Sequence, residues 1–228
     1  MREIRKIFIV HYSKLSERKT HMLKEADKWF ANTDYEFELS HDQEVLTDEI
    51  IERNFDLKAF KNRFERDMSR GEMSLCMKYK AILSQITEEK DGELFLILED
   101  DVIFKESPLD YVKRVEETGT VDQLKYDCLF MGEALIRKGD DRDVFYEKQY
   151  PSTNGLCTVL YTRSVVEKMD DHLKNNRISQ PLDWEFNDLF RDLGLKVYWG
   201  KAITVHGSVS ATSNKDFNFF KSSLRESY

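Results

Sequence analysis

The sequence is poor in proline and glycine, with 3 and 9 residues in 228. That excludes collagen-like repeats, long Pro-rich linkers and a compositionally disordered tract. Cysteine is scarce too. Cys76, Cys128 and Cys157 lie far apart, without a CxxC and without even pairing, so neither a zinc ribbon nor a disulfide framework is expected. All three read as buried thiols. Positive charge is in deficit, 35 Lys and Arg against 43 Asp and Glu, for a net charge of −8. A general nucleic-acid binder is therefore excluded, whereas a small anionic substrate beside a local cation or metal is not. Long apolar runs are missing as well. Stretches such as Leu94 to Leu98 fall far short of the roughly 18–20 residues that span a bilayer. The start, Arg2-Glu3-Ile4-Arg5-Lys6, runs into only four apolar residues, Ile7 to Val10, with no small-residue cleavage site. No signal peptide is read there, and a cytoplasmic protein is expected.

What is present suits one large domain: 15 Phe, 10 Tyr and 3 Trp within a 40% hydrophobic chain can fill a core. Lys6 to Val10 reads as a buried first strand that feeds a loop from His11 to Leu15. Ser16 is placed to cap a helix with Met22, Leu23, Ala26, Trp29 and Phe30 on one face. Tyr35 to Leu39 alternates as a strand, and Thr47-Asp48-Glu49 opens a helix through Phe55. Ser69 and Glu72 have capping-box spacing ahead of Met73 to Ile86, apolar nearly all round and so predicted to be a central helix. Glu93 to Leu98, Tyr126 to Met131, Leu156 to Tyr161 and Leu195 to Trp199 read as further strands. Helices are predicted from Ser107-Pro108 to Glu117, over Val165 to Leu173, and over Leu182 to Leu193. Alternation of this kind predicts an α/β fold, a mostly parallel, Rossmann-like sheet flanked by helices, with ligands beyond the carboxyl ends of the strands.

Glu99-Asp100-Asp101 is the most informative block. Three adjacent carboxylates at the end of a buried strand repel one another and call for a cation. Oxygen ligands there suit Mn²⁺ or Mg²⁺, which completes its shell with diphosphate oxygens and water. The alternative is a solvated passage from strand to loop. EF-hand spacing and an aspartyl-nucleophile D-x-D near the N-terminus are both absent.

Gly71 to Lys80, followed by Leu94 to Val102 with its Leu-Glu-Asp-Asp core, resembles glycosyltransferase family 25, the lipooligosaccharide galactosyltransferase type. Gly155 to Tyr161, Pro181-Leu182-Asp183-Trp184 and His206-Gly207-Ser208 are similar to later elements of that family. One departure is Tyr79, which stands where the family usually carries histidine. The resemblance implies a GT-A fold, a nucleotide-diphospho-sugar donor, divalent-metal dependence and inversion at the anomeric carbon. It makes Asp101 the first metal ligand, with Glu99 or Asp100 assisting through water or ribose contacts. Arg18 resembles the family's early arginine, while His11 and Tyr12, ending the first strand, are candidates to meet the base or ribose.

His206 follows an apolar run and precedes Gly-Ser, where a neutral imidazole can join the metal or simply hydrogen-bond. Asp183 and Glu185 are the candidate catalytic bases; an N-cap is the other role open to Asp183, in which helix N–H groups would keep it ionised. Trp184, Trp199, Tyr198 and Tyr161 are open to stacking on sugars or to core packing. The Lys138 to Asp143 run and the Arg63, Arg66, Arg70 series read as solvated.

The expectation is one catalytic domain, with a donor-binding half over about 1–105, an acceptor and catalytic half over about 106–207, and a closing tail at 208–228. It would move a hexose, galactose by family default, from a UDP-hexose to a saccharide or glycolipid acceptor. Nucleic acid is not expected as a partner. No transmembrane segment is read, and membrane contact would be peripheral. Two rivals stand beside this reading: a non-catalytic glycan- or protein-binding relative, and a metal-dependent nucleotidyl or phosphoryl transferase, the latter without a P-loop.

Overall fold

Buried runs of β-branched and aromatic residues set the frame. In the computed structural model, which describes residues 2–117, 125–133, 145–150 and 155–207, eight strands form one sheet. They are β1 (Ile4–Val10), β2 (Asp34–Glu38), β3 (Leu94–Glu99), β4 (Val102–Phe104), β5 (Cys128–Gly132), β6 (Tyr146–Glu147), β7 (Thr158–Thr162) and β8 (Val197–His206). Their spatial order is β2-β1-β3-β7-β5-β8-β4, and β6 also pairs with β8. The helices are α1 (Ser16–Trp29), α2 (Asp48–Asn54), α3 (Leu57–Phe64), α4 (Arg70–Glu88), α5 (Pro108–Glu117), α6 (Arg163–Asn175) and α7 (Leu182–Asp192).

β1 and β3 look uniformly apolar in sequence, yet their side chains part to two faces, as the period of two in a strand demands. Phe8, Val10, Phe95 and Ile97 join one core layer with residues of α2, α3, α4, α6 and α7. Ile7, Ile9, Leu96 and Leu98 join the other with α1 and α5. Helices therefore cover both faces, as expected.

The sheet is mixed, which corrects the mostly parallel expectation. β2, β1 and β3 pair in parallel, as do β5 and β8. β7 runs antiparallel between β3 and β5, and β4 and β6 run antiparallel to β8. The cause lies in burial. All five residues of β7 are buried, so the alternation that marks a half-exposed antiparallel strand is missing and the run reads as a parallel one.

The capping box forecast for Ser69 and Glu72 is present in both halves at the start of α4. Ser16, by contrast, is the first helical residue of α1; Leu15 occupies the cap, with no side-chain bond. α3 and β4 carry too few residues for periodicity to reveal. The strand predicted over Leu195 to Trp199 starts at Val197 and runs on through the apolar residues Ala202 to Val205 as one strand, β8. Residues 138–143 and the predicted closing tail at 208–228 lie outside the described residues.

α4 ends without glycine, and Arg163 takes over the capping of its carbonyls. Its guanidinium donates to the carbonyls of Ile86 (3.1 Å), Glu89 (3.0 Å), Asp91 (2.7 Å) and Gly92 (2.7 Å). A cation at a helix C-terminus also meets the negative end of the dipole. Arg163→Gln should therefore lower unfolding free energy by about 2 kcal/mol or more in urea titration at unchanged m-value. A loss below about 0.5 kcal/mol would place the helix end under other control.

Candidate active site

β3 delivers Glu99 to the carboxyl edge of the sheet, and the chain turns through Asp100 and Asp101 into β4. β4 lies antiparallel on the end of β8 with Val102 opposite His206, and the Gly207 N–H donates to the Asp101 carbonyl at 2.6 Å. Backbone register thus brings His206 to the acidic turn. His206 Nδ1 lies 3.4 Å from Asp101 Oδ1, and His206 Nε2 lies 4.0 Å from Glu99 Oε2. One ligand atom from each of Glu99, Asp101 and His206 falls within 4.8 Å of the others. These are the three residues named from sequence as metal ligands.

Ligand atoms around one ion with bonds of about 2.1 Å lie about 3–4 Å apart; the three residues come within 4.8 Å, somewhat wider than that, and two carboxylates with an imidazole are a donor set that Mn²⁺ or Mg²⁺ accepts. The electrostatics agree. Burial pushes the Glu99 carboxyl up from 4.5 to about 7; His206 opposes the shift, while Asp101, Asp100 and Asp183 reinforce it. His206 lies well above its usual 6.5, because Cys157 and Asp101 outweigh the burial that disfavours its cation.

Asp100 faces the other way. Its Oδ2 lies 2.7 Å from His11 Nδ1, and its Oδ1 accepts from Arg18 Nη1 at 2.7 Å. Arg18 also reaches to 3.4 Å from Asp101 Oδ2. His11 is 1% exposed, Arg18 4% and Asp100 5%, so none of the three offers a side chain to a donor molecule. The end of a buried strand turns one acid inward, where the buried His11 and Arg18 meet it. Tyr12 stays half-buried. Its hydroxyl donates to Glu44 and accepts from Gln43 at 3.2 Å, beside a loop that Asp42 ties to Ser13 and to the buried Lys78.

Asp183 sits in the first turn of α7, whose cap is Pro181, so it is not the N-cap. Its Oδ1 accepts from the Trp184 N–H at 3.0 Å. Burial raises its carboxyl above the ordinary 3.8 despite the Trp184 and Gly155 N–H groups and the charge of Lys148. It is therefore held less firmly ionised than a capping aspartate would be. Gly155 presents that N–H from the left-handed region, at φ 122°, which glycine tolerates best. Asp183 is close enough to Glu99 to act on it through space. Glu185 turns back instead, accepting from the Ser179 N–H at 3.2 Å, and burial raises its carboxyl too.

Trp199 and Tyr161 are core residues, while Trp184 and Tyr198 are half-buried. Tyr79 is fully buried and its hydroxyl donates to the Leu156 carbonyl at 3.0 Å, so it braces the core beneath β7. Two site neighbours escaped the sequence reading. Cys157 packs against Gly132 so closely that a Cβ there would lie 2.2 Å from its sulfur. Lys148 follows the two-residue strand β6, where no periodicity marks it.

The family model described as glycosyltransferase family 25 (LPS biosynthesis protein) matches residues 4–150. No curated protein is matched by the chain. Among solved structures, a glycosyltransferase involved in the glycosylation of the major capsid of PBCV-1 is similar at 12% identity and a TM-score of 0.48, covering 90% of this chain and 93% of its own. The protein A197 from STIV is similar at 13% identity and a TM-score of 0.44, covering 93% and 98%.

The shifts at Glu99 and His206 give a signed pH dependence. Between its ordinary 4.5 and about 7, Glu99 holds a proton in the folded protein that the unfolded chain has lost, so metal-free stability falls as pH rises through that window. The raised His206 acts in the same sense: its contribution is full below 6.5 and lost as pH climbs through its higher folded value. A divalent ion competes with these protons. Mn²⁺ should therefore raise the Tm more at pH 7.5 than at pH 5.5, and Asp101→Ala should remove the effect. An equal Mn²⁺ shift in Asp101→Ala would show that the ion binds elsewhere.

Proposed function

Because this chain belongs to glycosyltransferase family 25 and is a glycosyltransferase, we propose that it moves a hexose, with galactose first in line, from a UDP-sugar to a saccharide acceptor, with inversion and with Mn²⁺ or Mg²⁺ bound. The observation that carries the proposal is the convergence of Glu99, Asp101 and His206 at the carboxyl edge of the sheet, with Asp183 near them. Those three residues would hold the ion, which when bound supplies positive charge to the departing diphosphate.

Asp183 is the base in this reading. As the acceptor oxygen bonds to the anomeric carbon, the bond from that carbon to the diphosphate oxygen breaks and its electron pair leaves with the nucleoside diphosphate. The acceptor hydroxyl's proton passes to the Asp183 carboxylate. A carboxyl raised by burial is better matched to that task than one in water. Glu185 is engaged with Ser179 and is the weaker choice.

Tyr12, half-buried at the end of β1, is the donor contact left open there, while His11, Arg18 and Asp100 act from behind the site. The donor half over about 1–105 and the catalytic half over about 106–207 share one sheet, since β4 of the first pairs with β8 of the second. The family's LPS description supports a saccharide or glycolipid acceptor. No helix among the described residues is long and apolar enough to cross a membrane. The proposal itself includes a cytoplasmic enzyme with peripheral contact to any lipid-linked acceptor.

The test is nucleoside-diphosphate release from a panel of sugar nucleotides with Mn²⁺ or EDTA. One donor should be turned over only with metal, and Asp101→Ala should abolish that turnover. Asp183→Asn should cost about 10²–10⁴-fold in kcat, and Glu185→Gln less than about tenfold. EDTA-resistant transfer would overturn the metal, and an active Asp183→Asn would overturn the base.

A further inference from the structure

Lys148 is buried where a lysine is costly. Its backbone N–H donates to the Val197 carbonyl at 2.8 Å, extending the pairing of β6 on β8. Its ammonium lies 4.6 Å from the centroid of Phe130, 5.4 Å from Trp199 and 5.6 Å from Phe190. It donates to Asn187 Oδ1 at 2.5 Å. Asn187 lies four residues beyond Asp183 on α7, so the two share one face, a turn apart.

Burial pulls the Lys148 ammonium down to about 8, and Cys128 on β5 and then Asp183 act through space in the opposite sense. A buried lysine in a ring-lined seat stabilises a fold less than a methionine of similar shape would, because desolvation of the charge offsets its contacts. Packing alone does not call for it. Charge next to Asp183 does.

Resting on Asp183 as the base, we propose that Lys148 is its positioning residue: clamped to α7 through Asn187, it faces the Asp183 carboxylate with a positive charge that holds it ionised and aimed at the acceptor hydroxyl. The other groups that act on or around Asp183 are Glu99 at the end of β3, Tyr79 and Cys76 on α4, and the N–H groups of Gly155 and Trp184. Glu99 repels the carboxylate when ionised, Tyr79 and Cys76 are held neutral by burial, and the two N–H groups supply only dipoles. The cationic form of His206 lies against Glu99 and Asp101, whereas Lys148 is the described residue whose positive charge acts on Asp183 itself.

The experiment compares Lys148→Met, Lys148→Arg and Asp183→Asn in the full chain, reading kcat, donor KM, Tm and the pH profile of kcat/KM. Lys148→Met is expected to keep its Tm and hold donor KM within about twofold. It should lose about 10–100-fold in kcat and move the acidic limb up by about one pH unit, since an aspartate without its cation takes a proton more readily. Lys148→Arg should restore the limb. It also serves as the readout should Lys148→Met fail to fold, and an Arg variant with a displaced limb would then overturn the proposal. An unmoved limb in Lys148→Met, beside an inactive Asp183→Asn, overturns the role of Lys148 alone. An active Asp183→Asn overturns the base and, with it, this proposal.

Discussion

A buried guanidinium stands under the whole site. Arg18 projects from α1 and, 4% exposed, meets Asp100 at 2.7 Å and Asp101 at 3.4 Å. Burial works against its charge, and the two carboxylates more than offset that cost. Without it, a strand ending in three acids would leave uncompensated charge below the surface, a penalty of about 3–5 kcal/mol for one broken buried pair. Arg18 Nη1 lies within reach of both neighbouring carboxylates at once. His11 takes the remaining oxygen of Asp100. With that acid fully engaged behind the turn, Glu99 and Asp101 are left facing His206. The seat of α1 on the sheet, through buried Met22 and Ala26, therefore helps set the geometry of the cleft.

The same economy governs how His206 arrives. β8 is ten residues long and antiparallel to β4, so the position of His206 follows from register and not from a flexible loop. Slipping that register by one residue would turn the imidazole to the opposite face. The Thr158 and Thr204 hydroxyls, 2.7 Å apart and buried, link β7 to β8 two residues before His206 and one after Cys157. A site assembled from strand ends in this way is rigid where ligands must converge.

Much of this was legible in the sequence because each signal was local. The capping box at Ser69 needs only four residues, β3 only one apolar run, and the acidic turn only three adjacent carboxylates. What escaped depended on tertiary context. The direction of β7 was hidden because full burial erases alternation. The inward turn of His11, Arg18 and Asp100 depends on which side of a turn each residue leaves the chain, and spacing does not encode that. Lys148 had no signal at all: its significance comes from three rings and an asparagine supplied by β5, α7 and β8. Asp183 was correctly placed at a helix start, but its cap role failed because Pro181 already occupies the cap.

These environments also bear on how the proposed chemistry is ordered. In the metal-free protein the cationic form of His206 sits between Glu99 and Asp101 and serves as their counter-ion. A divalent ion on the same three residues needs the lone pair that this proton occupies, so loading exchanges one positive charge for two. In the proposed reading, that gain in charge would meet the donor's diphosphate. Asp183 is placed differently: its partners are backbone N–H groups and Lys148, not the imidazole. Loading can therefore discharge the Glu99 and His206 protons without displacing a partner of Asp183. Under the proposal, separating donor activation from proton acceptance in this way would let one crowded acidic cleft hold a cation and a base together.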